Sequence, residues 1–183
     1  MRSAVSVAVS VFLLWMMTAS PAGAQDSQFQ LKGIEISPGT MSKNCIAGTG
    51  GTYTTAGITF TGSATGDAQG VWVVTLDATG ALDGNCEPVR CDTSSPVVVI
   101  GGSWLLKVIL GTVGGAISGG TLQYRPDGPV VGNCLGPVPG NLSVAVDFAL
   151  GRFRRVHNAQ MDNIFLDHRT FPPRVETDLE LTP

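Results

Sequence analysis

The sequence predicts an all-β fold: a single antiparallel, barrel-like domain of about 8–10 strands, with a β-sandwich as the alternative. Helical periodicity is missing beyond residue 25, where every stretch with apolar side chains at i, i+3, i+4 and i+7 is interrupted by glycine or proline. Period-two alternation recurs instead. In "NLSVAVDFAL", Leu142, Val144, Val146, Phe148 and Leu150 alternate with Ser143, Ala145, Asp147 and Ala149, the pattern of a strand with one buried face. Glycine is abundant, 24 of 183 residues, and falls inside these runs. Tight coiling of a closed sheet needs it there, which favours the barrel.

Residues 1–24 read as a signal peptide. Arg2 supplies a positive start, "AVSVAVSVFLLWMM" (4–17) is uncharged and mostly apolar, and Ala22 and Ala24 form an A-x-A cleavage pattern before Gln25. The apolar run is shorter than the ~20 residues of a spanning helix, and no cysteine follows it to carry a lipid. Residues 25–183 are therefore expected to form one domain, secreted or periplasmic, with no membrane span in the mature chain. Losing Arg2 leaves ten basic residues against fourteen acidic, a net charge of −4. That balance draws the chain neither to nucleic acid nor to an anionic membrane.

The expected strands begin with "FQLKGIEIS" (29–37) and "TYTTAGITFTG" (52–62), whose alternation slips at Gly33 and Gly57 as at a bulge. "GVWVVTLD" (70–77) and "VVVIGGSWLLKVIL" (97–110) are continuously apolar, so buried on both faces or bent, with Gly101 and Gly102 allowing the bend. "GAISGGTLQY" (115–124) and 141–150 follow. "GRFRRVH" and "AQMDNIFLDH" supply one or two more, and "RVETDLEL" alternates Val175, Thr177, Leu179 and Leu181 with acids. Short glycine turns, "SATGDAQ" and "GTVGG", join hairpins, whereas 38–51, 78–96 and 125–140 read as long loops. In a meander, alternate connections share an end, so the long loops meet at one rim and the glycine turns around Gly66 and Gly114 at the other.

All four cysteines fall in the long loops: Cys45 in the first, Cys86 and Cys91 in the second, Cys134 in the third. An even set in an oxidising compartment reads as disulfides, here two at one rim. A zinc site would want C-x2-C pairs with nearby histidines, and a redox site C-x-x-C; the spacing here is C-x4-C around Pro88. Four cysteines allow three pairings, and connectivity stays open; the two favoured are Cys86–Cys91 with Cys45–Cys134, and Cys45–Cys86 with Cys91–Cys134. Asn precedes Cys45, Cys86 and Cys134, which suits turns and places each dipeptide in a loop.

Catalytic signatures are sparse. There is no G-x-S-x-G, no H-E-x-x-H and no P-loop lysine. "FRRVHNAQMDNIFLDHR" gathers His157, Asp162, Asp167 and His168 beside Arg154, Arg155 and Arg169. A carboxylate could orient a histidine there for acid–base work, or the four could be solvent-facing strand residues. At the cysteine rim, Asp83, Glu87, Asp92 and Asp127 are carboxylates of the type that holds Ca²⁺ or forms a glycosidase pair, without the EF-hand spacing. The sequence thus implies no metal or cofactor and names no partner or catalytic residue. It reads as a non-enzymatic binding or structural module, its cysteine rim the interaction face because loops carry function on such scaffolds. The alternatives are a small secreted hydrolase using the His/Asp cluster, and a barrel holding a small apolar ligand.

Overall fold

The computed structural model describes residues 26–89, 97–125, 140–167 and 170–183. Nine strands occupy most of them: β1 (Ser27–Ile46), β2 (Gly50–Gly66), β3 (Gly70–Leu82), β4 (Val97–Val108), β5 (Gly111–Arg125), β6 (Gly140–Val144), β7 (Phe148–Gly151), β8 (Asn158–Asp167) and β9 (Arg174–Thr182). No helix occurs among the described residues. β1 to β5 form an antiparallel meander. β6 and β7 lie in succession along one edge of β5, two halves of one interrupted stave. β8 pairs with β6 and β9 with β8. β9 then returns to β1 in continuous register from Ser27↔Leu181 to Ile34↔Arg174. Eight staves therefore close a barrel, and the sandwich alternative is excluded. The pairing is antiparallel except where the end of β5 runs parallel to β8.

Inward positions fill the barrel with side chains, Leu31, Phe60, Leu76, Leu106, Leu122 and Leu179 among them, all nearly inaccessible to water. The two buried tryptophans explain several strand glycines. Trp72 sits beside Gly62 on β2, which in turn pairs with Gly33 on β1. The indole lies across both, its Nε1 donating to the carbonyls of Ser63 (3.1 Å) and Lys32 (3.3 Å). A Cβ on Gly33 would come within 2.7 Å of Trp72 Cζ2. Trp104 repeats the arrangement beside Gly115, with Nε1 donating to Ala145 O at 2.8 Å. A buried indole N–H requires such an acceptor.

These contacts correct four expectations. Gly33 is not a bulge; the register slips further on, between Glu35 and Ser37, whereas the slip at Gly57 (φ 76°) and the one beside Gly101 occur where expected. "GTVGG" is not a turn but part of β5, its Gly115 reserved for close approach. The chain reverses at Ile109 and Leu110. The alternation of 141–150 breaks at Ala145–Asp147, whose amides still bond to β5. A slip in phase exchanges the two faces of a strand, so Leu142 is buried while Phe148 and Leu150 stand 43% and 61% exposed. "GRFRRVH" is a turn, not a strand. Phe153 inserts into the core from it, edge-on to Phe29 at 6.0 Å between ring centroids.

The long-loop boundaries also move. β1 continues to Ile46 and β3 to Leu82, so only Ala47–Thr49 turn between β1 and β2, and Asn44–Cys45 lies in a strand. The one-rim placement of Cys45 and Cys86 holds: they form a disulfide with Cα atoms 5.7 Å apart. That bond rules out the Cys86–Cys91 scheme. Cys91 and Cys134 lie outside the described residues. The strand ends flanking them, Leu82, Val97, Arg125 and Gly140, belong to the same end of the barrel.

Candidate functional site

The His/Asp cluster does not assemble. His157 precedes β8 at the end away from the disulfide, its amide bonded to Thr182 O, while Asp167 ends β8 at the disulfide end. The residues between them span about 30 Å at ~3.3 Å each. His168 lies outside the described residues. Asp162 lines a groove on the outer wall.

At the disulfide rim the acidic side chains hold the turn. Asp83 Oδ1 accepts the backbone N–H of Asn85 (2.8 Å) and of Glu87 (2.9 Å). Its pKa is lowered first by the Glu87 bond, then by Asn85 and the Lys43 charge, against some desolvation. Lys43 Nζ donates to Cys86 O (2.9 Å) and stands 3.6 Å from the Glu87 carboxylate. Asp92 and Asp127 lie outside the described residues. Among the described residues, no three His, Cys, Asp or Glu side chains gather as metal ligands would.

A groove of about 530 Å³ lies instead on the outer wall, at the end away from the disulfide. Strand register builds it. Phe29, Leu179 and Met161 point inward, so their neighbours face out and align across three strands. Gln28, Glu180 and Gln160 form one row; Gln30, Asp178 and Asp162 form the next. Asp162 and Asp178 are directly opposed, an arrangement that like charges disfavour. Amide donors relieve it: Gln160 Nε2 reaches Asp162 Oδ2 at 2.5 Å, and Asn163 Nδ2 reaches Asp178 Oδ2 at 2.8 Å. Asn163 can do so because a bulge places it at φ 55°. Thr177 Oγ1 ties the bulge down by donating to Asp162 O at 2.7 Å.

The lining holds amides, carboxylates and Thr65, with no histidine, cysteine, serine, lysine or arginine. Such a surface offers hydrogen bonds and negative charge but lacks a nucleophile–base pair. Of these residues only Asp162 is a sequence candidate. Asp178 and Glu180 show in the sequence as the solvent side of an alternating strand. That they meet Gln28, Gln30 and Gln160 depends on β1–β9 and β8–β9 register, which alternation does not encode. No family model, curated protein or solved structure matches this chain.

Proposed function

We propose that this protein is an exported, disulfide-stabilised barrel that works by binding, with the groove on β1, β8 and β9 as its binding surface and residues 1–24 directing export. The contrast between interior and wall carries this reading. Among the described residues, an interior cavity lined by side chains such as Phe60, Trp72 and Leu166 measures about 20 Å³, room for about one water and far below the ~300 Å³ or more of a ligand pocket. The wall offers the groove of about 530 Å³. An apolar ligand inside the barrel loses support accordingly, and the separation of His157 from Asp167 weakens the hydrolase alternative. The disulfide suits an oxidising compartment. On β1 and β9, Gln28, Gln30, Lys32, Glu176, Asp178 and Glu180 stand on the outer wall around an apolar core, the reverse of the pattern of membrane-spanning strands.

Three carboxylates without a lining cation suit a polar ligand that bears amines or guanidinium groups. Calorimetric titration with Lys- and Arg-rich peptides, alongside neutral oligosaccharides, tests this. The cationic peptides should bind, and Asp178→Asn/Glu180→Gln should weaken them about tenfold or more, the loss expected for buried or half-buried charge pairs. Equal binding by that variant would refute the groove. Hydrolysis of any of these ligands, abolished by Asp162→Asn, would favour the enzyme reading.

A further inference from the structure

The apolar runs 70–77 and 97–110 read as buried on both faces or bent, and their outward residues are open. Val71 is 58% exposed and Val73 37%. The phase slip at Ala145–Asp147 adds Phe148 and Leu150 to the same wall. Register makes these residues contiguous: Val73, Leu105, Gly114 and Phe148 form one row across β3, β4, β5 and β7, and Val71, Lys107, Thr112 and Leu150 form the next. Phe148 lies over Gly114, where a Cβ would come 3.0 Å from its Cζ. The wall ends at the β4–β5 turn, where Ile109 is 94% and Leu110 72% exposed. Two-residue turns ordinarily carry Asn, Asp or Gly, so an aliphatic pair at the tip has no local conformational reason.

The net negative charge conceals how the cations are placed. Phe153 anchors its turn in the core, and Arg152 N donates to Leu110 O at 2.8 Å, fixing that turn against the hairpin tip. Arg152, Arg154 and Arg155 are all exposed there, and Lys107 stands within the apolar rows. The acidic groove is centred on β9, four staves from β4 in either direction around the eight-stave ring, hence on the wall opposite β4, and the arginine turn, connecting β7 to β8, lies between the two. At physiological ionic strength charges beyond about 8 Å are largely screened, so a surface meeting this side encounters the arginines rather than the net charge.

We propose that this side of the barrel docks on an anionic lipid surface, with Ile109 and Leu110 entering the headgroup layer and the arginines meeting the phosphates. An apolar tip flanked by cations is the composition that interfacial binding uses. A second copy fits less well, because a two-fold contact brings the same patch of both subunits together and would bury two sets of these cations in one interface. The proposal uses none of the groove residues and stands apart from the binding reading above.

Vesicle flotation tests it with the chain from Gln25 onward, which holds all nine strands and lacks the apolar leader. Binding to phosphatidylcholine vesicles containing about a third phosphatidylglycerol should exceed binding to phosphatidylcholine alone about tenfold, and should fall as salt rises. Ile109→Asp/Leu110→Asp should abolish it without lowering Tm, since both side chains are exposed. Arg154→Glu/Arg155→Glu should remove the preference for anionic lipid. A Leu110→Trp variant should show a blue shift in added emission only with anionic vesicles. Absence of vesicle binding, or undiminished binding by the Ile109/Leu110 variant, overturns the proposal. So does a dimer in sedimentation that Ile109→Asp/Leu110→Asp dissociates, which would identify a second copy as the occupant.

Discussion

Two inward residues carry costs that single substitutions can expose. Thr55 Oγ1 is buried with no hydrogen-bond partner among the described residues. Leaving a hydroxyl so costs roughly 1–3 kcal/mol, and valine keeps the shape, so Thr55→Val should raise stability by about 1 kcal/mol in urea unfolding. Glu35 is half-buried where β1 runs past β9, its amide bonded to Pro173 O at 2.8 Å. Desolvation raises its carboxyl pKa above the ordinary 4.5. The folded state therefore holds this proton more tightly than the unfolded chain does, and stability falls as pH rises from about 4.5 through the folded pKa. Glu35→Gln should be more stable than the parent at pH 7. The advantage should disappear once both states protonate at lower pH, and a gain that persists unchanged at pH 3 would refute burial as its cause.

Elements were legible where one face is buried and the other wet. β9, with Val175, Thr177, Leu179 and Leu181 inward, lies where alternation puts it. Alternation fails for residues 38–46, exposed or only partly buried throughout, because a strand that packs on neither face leaves no periodic trace and "TMSKN" reads as loop. It misleads at 148–150, where the break at Ala145–Asp147 serves Trp104 Nε1 and reverses the faces. Such a break depends on a partner 41 positions away, beyond any local pattern. The same distant pairing hid the groove. The β1–β2–β3 extension depends on a covalent tie between its strands: Cys45–Cys86 closes 41 positions of chain. Replacing both cysteines with alanine should cost about 2–4 kcal/mol by releasing that constraint on the unfolded state. Amides of Lys43–Ile46 and Gly80–Leu82 should then exchange faster, while those of β8 and β9 keep their protection below the global unfolding limit. Uniform acceleration across the barrel would show that the extension is not a separate unit.

On the scale of the whole molecule, closure decides stability, because β1 and β9 each complete the other's hydrogen bonding. Ser27 pairs with Leu181, so the two outermost strand ends sit side by side at the end away from the disulfide. Neighbouring termini at an exposed end suit circular permutation. A short Gly/Ser linker from Thr182 to Ser27 would leave every ladder intact. New termini can be opened between Ala68 and Gln69, beyond Asp67, whose backbone and carboxylate both bond to Gln28. The permutant should retain Tm within a few degrees, the shift of about 1 kcal/mol in a domain this size. Removing residues 174–183 should have the opposite effect. It strips pairing from both β1 and β8 and exposes Leu31, Met161 and Phe60 where Val175, Leu179 and Leu181 now cover the core. An open sheet with an apolar inner face and two long free edges is an aggregation template, so the truncated chain should be insoluble rather than merely less stable. A soluble, cooperatively unfolding truncation would mean that seven staves close without β9.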